Sequence, residues 1–387
     1  MKFDFKRAPK PENIAIADWN NWVWQMQNAI KSFDGLAVSK NELFQVRTTP
    51  YYYSLSESPA IRKIFEPSPE ELKIYEGDFE DPLGEKQHSP VSRIIHRYSD
   101  RVLFLISDTC SVYCRFCTRK HFTGQDQSFI KTAEYNKALE YIAHKKGLRE
   151  VILSGGDPLT LSNSILDRVL FDLRKIDHIE IIRIATRMPV VCPMRIDQEL
   201  LNILKKHKPI FLMTHFNHPD ELTLEAAQSL ESFVDHGVPV FNQMVLLNGI
   251  NNHPAIIQAL NRRLLYLRTK PYYMFQMDPS NGSHHFINSI EDSMEIQKEL
   301  WGHLSGLALP HLSLDVPGIG GKTPLVPHFE LNKIKLDDDS EIRTYKTYDD
   351  KTGQYHSPSS SQVLKPEVPI HYLEEWKVLT NSRFEIK

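Results

Sequence analysis

The sequence predicts an α/β protein built on a parallel sheet, as either an open barrel or a doubly wound sheet. From residue 101 onward, short and continuously apolar runs alternate with amphipathic helical patterns. Strands that are apolar on both faces are typical of a parallel sheet covered by helices. About six such strand and helix units follow one another on a chain of 387 residues, which is long enough to bury a large core.

The strand and helix candidates follow from the period of their apolar residues. The predicted strands are 102–106, 150–153, 180–185, 209–213, 239–246 and 271–276. The predicted helices between and after them are 132–146, 163–175, 197–206, 221–235, 255–267 and 290–304. Because ligands of parallel α/β folds bind at the carboxyl ends of the strands, the polar residues that follow each strand are the first candidates for a functional site.

The chain divides into three predicted regions. Residues 1–100 are rich in proline and form a helical wrapping segment, in which 19–33 is the clearest helix candidate. Residues 101–310 hold the six strand and helix units. Residues 311–387 form a β-rich extension that carries a lysine on a glycine-rich loop.

Composition favours a small-molecule ligand. The chain has 46 Lys and Arg against 49 Asp and Glu, which gives a net charge of -3. A protein that binds nucleic acid or an anionic membrane needs an excess of basic residues. No apolar run approaches the roughly 18 residues of a membrane span, and the first ten residues lack the apolar stretch of a secretion signal. We therefore expect a cytoplasmic protein without a membrane or nucleic-acid partner.

Three of the four cysteines lie close together, in Cys110-Ser-Val-Tyr-Cys114-Arg-Phe-Cys117. Thiolates at this spacing on one loop can converge on an inorganic centre, and a [4Fe-4S] cluster held by three cysteines leaves one iron open. A structural zinc would need a fourth nitrogen or sulfur ligand, for which the chain offers no obvious partner. The alternative to a metal centre is three independent buried cysteines, but these would rarely occur at this spacing.

This string, with its aromatic Phe116, resembles the CxxxCxφC motif of the radical S-adenosylmethionine (radical SAM) superfamily. The resemblance implies a partial (β/α)6 open TIM-like barrel whose cluster binds S-adenosylmethionine and cleaves it to a 5′-deoxyadenosyl radical. It also implies contacts to S-adenosylmethionine from a set of residues that could otherwise be turn or barrel-mouth residues. These are Gly155, Gly156, Asp157, His215 and Gln243.

A second candidate is Lys322, in the glycine-rich string from Asp315 to Pro324. The string fails as a Walker A motif, because Val316 stands where the first glycine is required and Pro324 stands where a helix should begin. A lysine on such a loop suits a reversible Schiff base with an aldehyde cofactor. Taken alone, Lys322 could equally be an exposed turn lysine.

Together the two motifs resemble the lysine 2,3-aminomutase family, with matching strings from about residue 19 to residue 328. The resemblance implies that Lys322 binds pyridoxal 5′-phosphate and that Arg97 and Arg101 meet the phosphate and ring oxygens of that cofactor. It assigns the substrate carboxylate to Arg119 and the distal ammonium of the substrate to Asp278 and Asp315. The relative that acts on glutamate lacks this acidic pair, so the implied reaction interconverts L-lysine and β-lysine through the 5′-deoxyadenosyl radical.

The family also implies an electron donor, such as flavodoxin or ferredoxin, and a homo-oligomer in which the 311–387 extension provides contacts between subunits. Its best-known members carry a zinc site built from one mid-chain and several C-terminal cysteines. None of those cysteines is present, and His253 stands near the first position, so we expect no structural zinc.

Three other functions stay open from the sequence. One is a 2,3-aminomutase for another cationic amino acid, arginine or ornithine. Another is a radical SAM enzyme that works without pyridoxal phosphate. The third is a non-catalytic electron carrier or regulator that holds the cluster.

Overall fold

The computed structural model describes residues 3–32, 44–124, 128–317 and 321–381. Its main feature is a nine-stranded sheet in which the strands follow their order along the chain. The strands are β1 (Ile94–Tyr98), β2 (Arg101–Ser107), β3 (Glu150–Gly155), β4 (Ile181–Ala185), β5 (Ile210–Thr214), β6 (Val240–Leu246), β7 (Thr269–Gln276), β8 (His311–Asp315) and β9 (Lys322–Pro324). Strands β2 to β8 are parallel, and β1 and β9 pair antiparallel at the two edges.

The two edge strands do not pair with each other, so the sheet is open. Six of its parallel strands, β2 to β7, are each followed by a helix that leads to the next strand. This arrangement confirms the predicted partial (β/α)6 barrel. Each predicted strand lies within about two residues of an observed one, because a continuously apolar run marks a strand that is covered on both faces.

The described helices are α1 (Ile16–Trp19), α2 (Trp22–Gln27), α3 (Pro50–Tyr53), α4 (Pro59–Phe65), α5 (Thr132–His144), α6 (Asn163–Arg174), α7 (Met188–Val191), α8 (Gln198–Lys206), α9 (Leu224–Asp235), α10 (Pro254–Tyr266), α11 (Ile290–Leu300) and α12 (Ile370–Asn381). The crossover helices bury one stripe each. In α6 that stripe is Leu166, Val169, Leu170 and Leu173, at the spacing that lines one helix face. No described helix has both the length and the apolar character needed to span a bilayer.

The single helix predicted over 19–33 is wrong. Two short helices, α1 and α2, cover this region and are separated at Asn20 and Asn21. The Asn21 side chain accepts hydrogen bonds from the backbone N–H groups of Val23 and Trp24, at 2.9 and 3.1 Å. An asparagine that caps the following turn in this way begins a new helix instead of continuing the old one. Phe33, the predicted helix end, lies outside the described residues.

The parallel sheet continues beyond residue 310, because β8 pairs with β7 and then turns back into β9. Residues after β9 form a separate antiparallel sheet of β10 (Glu330–Lys335), β11 (Glu341–Lys346) and β12 (Thr352–Ser357). This is the β-rich C-terminal extension that the sequence predicts. Division into regions at residues 100 and 310, and the role of the extension in contacts between subunits, stay predictions.

Candidate active site

The carboxyl ends of the strands surround one cavity of about 520 Å³. Every candidate site residue named from the sequence or from the family resemblance lines it, although these residues span more than 200 positions of the chain. They are Arg97, Arg101, Cys110, Cys114, Cys117, Arg119, Gly155, Gly156, Asp157, His215, Gln243, Asp278, Asp315 and Lys322. The open barrel therefore brings the cysteine string and the lysine of the glycine-rich loop to the same space.

The cysteine loop follows β2 and is held from outside the cavity by its other residues. The backbone N–H of Arg115 donates to the Ile64 carbonyl at 2.8 Å, and the buried Arg115 guanidinium pairs with Glu71. Cys110, Cys114 and Cys117 are left as free, partly buried thiols. Burial, followed by the proximity of the other thiols, raises the pKa of both Cys110 and Cys117.

These thiols suit a positively charged inorganic centre, which would stabilise their deprotonated form. Among the residues that the structure describes, no three His, Cys, Asp or Glu side chains are placed to hold a metal ion together. Cys110, Cys114 and Cys117 lie on one loop and line the same cavity. In an iron–sulfur cluster each cysteine binds a different iron, so this donor set fits a polynuclear centre.

Sequence reasoning missed Arg187, which contacts the cysteine loop. Its Nη1 lies 2.8 Å from Cys114 Sγ, and its Nη2 lies 2.6 Å from Oε1 of the fully buried Glu221. Arg187 also donates from Nε to the carbonyl of His215, at 3.2 Å. One signal was available, because Arg187 follows β4 by two residues, just as the predicted site residues follow other strands.

Gly155 and Gly156 lie where backbone segments approach most closely. A Cβ on Gly155 would stand 2.1 Å from the Ser107 carbonyl oxygen, and one on Gly156 would stand 2.4 Å from that of Thr109. Gly155 also has a φ of +127°, which side chains other than glycine rarely adopt. The two glycines thus form a bare stretch of backbone beside the cysteine loop.

We expect Gly155→Ala to lower the free energy of unfolding by about 3 kcal/mol or more, since both the contact and the φ angle resist a side chain. Chemical denaturation measures this loss. The matched control is Gly147→Ala, where the nearest atom to a new Cβ is 3.9 Å away and where we expect a change below about 1 kcal/mol. Equal stability of the two variants would contradict the structural account of this turn.

Asp157 lines the cavity, but its carboxylate is bonded to the protein. Oδ1 accepts from the Thr186 hydroxyl at 2.7 Å and from the Leu159 N–H at 3.0 Å, while Oδ2 accepts from the Arg187 N–H at 2.7 Å. Burial raises the pKa of Asp157, and these hydrogen bonds act in the opposite direction. In this structure Asp157 fixes the loops after β3 and β4 to each other.

His215 has one unpartnered ring nitrogen in the cavity wall. Its Nε2 is buried without a hydrogen-bond partner in the described structure. Burial, and then the charge of Arg187, lowers the pKa of His215 to about 3, so the imidazole is neutral. Gln243 lines the cavity from β6. Together with the bare glycine backbone, these groups fit a polar ligand beside the cysteines.

At the β9 edge of the sheet, Asp315 and Lys322 face each other across the antiparallel pair of β8 and β9. Lys322 Nζ lies 3.1 Å from Asp315 Oδ2, and Arg97 Nη1 lies 3.3 Å from Asp315 Oδ1. The backbone N–H of Lys322 donates to the Tyr98 hydroxyl at 3.0 Å, which fixes the lysine at the cavity wall. Gly318 and Gly320 of the predicted loop lie outside the described residues.

Asp278 follows β7 and completes an acidic pair with Asp315. Burial, and then the neighbouring Asp315 carboxylate, raises the pKa of Asp278 to about 7. Lys322 and Arg97 act in the opposite direction. Two carboxylates in a shielded cavity are unfavourable unless cations balance them, so this wall favours a positively charged group.

The three predicted arginines all have partners in the protein. Arg119 pairs with Glu85 at 2.6 Å, and Arg101 pairs with Asp100 at 2.7 Å while its guanidinium stacks 3.9 Å from the centre of the Tyr98 ring. Arg97 contacts Asp315, as described above. The assignment of these arginines to cofactor and substrate groups stays a prediction.

Comparison with known proteins shows the family to which the chain belongs. The family model described as the radical SAM superfamily matches residues 104–258. An L-lysine 2,3-aminomutase of Fusobacterium nucleatum is 43% identical over 338 residues, covering 83% of this chain and 80% of that protein. The L-lysine 2,3-aminomutase of Clostridium subterminale is 41% identical, covering 83% and 82%.

A glutamate 2,3-aminomutase of Clostridioides difficile is also similar, with 38% identity over 82% of this chain and 79% of that protein. Identity at this level over most of both chains shows common family membership, and the cysteine string lies inside the matched radical SAM region. The chain therefore belongs to the lysine 2,3-aminomutase family, whose members are isomerases of the radical SAM superfamily.

Proposed function

We propose that this protein interconverts L-lysine and β-lysine by moving the amino group between C2 and C3. The observation that carries the proposal is the acidic pair of Asp278 and Asp315, which faces Lys322 in the same cavity as the cysteine string. An amino acid with a positively charged side chain balances that pair. A glutamate side chain would add a third negative charge there and be repelled.

The cavity residues divide between three ligands in this proposal. Cys110, Cys114 and Cys117 hold a [4Fe-4S] cluster, and S-adenosylmethionine lies against Gly155, Gly156, Asp157, His215 and Gln243. Pyridoxal 5′-phosphate is bound by Lys322, with Arg97 and Arg101 at its phosphate and ring oxygens. When bound, these groups supply a 5′-deoxyadenosyl radical that takes hydrogen from the substrate and a π-system that delocalises the unpaired electron.

The protein itself contributes position and charge. Neutral His215 and the bare glycine backbone offer polar contacts without adding charge near the cysteines. Lys322 is held at the wall by Tyr98 and Asp315, so its amine faces the cavity. Holding reacting groups in a fixed arrangement accounts for a large share of the rate that an enzyme can gain.

Incubation with L-lysine under anaerobic, reducing conditions tests the proposal. The protein, reconstituted with iron, sulfide, S-adenosylmethionine and pyridoxal phosphate, should form β-lysine. Parallel incubations with arginine and ornithine test the alternative substrates, because the acidic pair would also accept their cationic side chains. Formation of β-arginine or β-ornithine without β-lysine would overturn the proposed substrate, and a reaction independent of pyridoxal phosphate would overturn the proposed cofactor.

The raised pKa of Asp278 leads us to expect that the KM for lysine depends on pH. Since its pKa is raised to about 7, its carboxyl is neutral at pH 6 and binds the substrate ammonium weakly. We expect the KM for lysine to fall about 10-fold from pH 6 to pH 8, as the ionised fraction rises. Steady-state kinetics of Asp278→Asn give the control, for which we expect a higher KM that varies little over this range. The same pH dependence in both proteins would contradict the role of Asp278.

An electron donor such as flavodoxin or ferredoxin, a homo-oligomeric assembly and a cytoplasmic location complete the proposal. They rest on family resemblance and on composition.

A further inference from the structure

A segment of residues 79–88 lines the cavity with Leu83 and Glu85 and is fixed at both ends. At its C-terminal end, the backbone N–H of His96 donates to the His88 carbonyl at 2.8 Å. The backbone N–H of Phe79 donates to the Pro279 carbonyl at 2.9 Å, and that of Asn281 donates to the Phe79 carbonyl at 3.0 Å. The Asp81 carboxylate accepts from the N–H groups of Glu85 and Lys86, both at 2.9 Å. The backbone of Glu85 therefore has little freedom to move.

The Glu85 side chain is buried and lies against Arg119. Arg119 Nε lies 2.9 Å from both carboxylate oxygens of Glu85, and its Nη2 lies 2.6 Å from Oε1. On the opposite side, Arg119 Nη1 donates to the Ser154 hydroxyl at 3.1 Å. Glu85 thus binds one edge of the guanidinium, and Ser154, near the end of β3, accepts a hydrogen bond from the other side.

Arg119 keeps two N–H groups that neither Glu85 nor Ser154 occupies. A guanidinium has five N–H groups, of which Glu85 takes the one on Nε and one on Nη2, and Ser154 takes one on Nη1. One N–H is left on each terminal nitrogen. These two form an edge that suits the two oxygens of a carboxylate, the arrangement in which arginine binds carboxylates most selectively.

We infer that Glu85 is a positioning residue that aligns Arg119 to receive the α-carboxylate of the substrate. The inference rests on the proposed function. Glu85 does not contact the substrate in this account, but it fixes which edge of Arg119 faces the cavity and offsets its charge. Without that partner the guanidinium could turn its free donors elsewhere, and a small misplacement of a binding group is costly to catalysis. Glu85 would instead be purely structural if its pairing only stabilised the 79–88 segment.

The test compares L-lysine with L-lysinamide, which has the same shape but no carboxylate. For the wild-type protein we expect kcat/KM to be about 100-fold higher for L-lysine, the size of a charge-assisted bidentate contact. In Glu85→Gln we expect this ratio to fall about 10-fold or more. In Arg119→Gln it should approach one, and the double variant should match Arg119→Gln, because Glu85 acts only through Arg119.

Glu80→Gln is the matched control. Glu80 belongs to the same segment but makes an exposed ion pair with Lys86 and does not line the cavity. We expect its substrate ratio to equal that of the wild type. Circular dichroism and iron content would verify folding, and Glu85→Asp serves if the glutamine variant does not fold. Its shorter carboxylate keeps the charge but shifts the contact, so it should also lower the ratio.

A Glu85 variant that slows both substrates equally, with the ratio unchanged, would overturn the inference and leave the proposed function standing. A wild-type protein that makes no β-lysine would overturn the proposed function, and the inference with it.

Discussion

Lys322→Ala is expected to lower β-lysine formation at least about 1,000-fold, because Lys322 supplies the only primary amine among the described residues that line the cavity. The variant should also lose the visible absorbance of bound pyridoxal phosphate. Its iron content should not change, since the cysteine string is separate in the chain. Absorbance spectra, iron analysis and product assays measure these three effects.

Lys298→Ala is the matched control for Lys322. Lys298 lies on α11 and pairs with Glu295 outside the cavity. This variant should keep the cofactor absorbance and the activity of the wild type. If Lys322→Ala kept both as well, Lys322 would not be the lysine that binds the cofactor, and the proposed division of the cavity would be wrong.

Cys114→Ser is expected to lower β-lysine formation as much as Lys322→Ala does, but through loss of the cluster. A hydroxyl is a much poorer ligand for iron than a thiolate, so the variant should lose cluster iron and at least about 1,000-fold of its activity. Binding of pyridoxal phosphate should persist. Iron analysis, electron paramagnetic resonance after reduction and the product assay measure the outcome.

The fourth cysteine of the chain provides the control for Cys114. Cys192 is fully buried in the core and does not line the cavity. Cys192→Ala should therefore retain iron and activity, with only a modest loss of stability from the smaller side chain. Unchanged iron content in Cys114→Ser would contradict the assignment of the cysteine string to a cluster.

Much of the barrel could be predicted from the sequence because its parallel strands are apolar on both faces. The run from Val102 to Ile106 is an example, and the observed strand exceeds it by one residue at each end. β1 was missed, since its string Ile94-Ile-His-Arg-Tyr98 mixes apolar and charged residues and becomes a strand only by pairing with β2. The helix predicted over 19–33 failed for a local reason, the capping side chain of Asn21.

The members of the site could be found from the sequence more readily than their contacts. The cysteine string is compact and specific, and Lys322 lies in a distinctive glycine-rich string. The hydrogen bonds and ion pairs of the site join residues that are distant in the chain. Arg119 and Glu85 are 34 positions apart, Arg187 and Cys114 are 73 apart, and Arg97 and Asp315 are 218 apart. No local pattern encodes such pairings, which depend on how the order of the strands in the open sheet brings distant segments together.

We propose that S-adenosylmethionine, pyridoxal phosphate and lysine meet in one cavity between the cysteine string and Lys322. Turnover of L-lysine that carries deuterium at C3 tests this arrangement, with mass spectrometry of the 5′-deoxyadenosine that is released. We predict that deuterium appears in 5′-deoxyadenosine and that β-lysine forms. Formation of β-lysine with 5′-deoxyadenosine that carries no deuterium would contradict this arrangement.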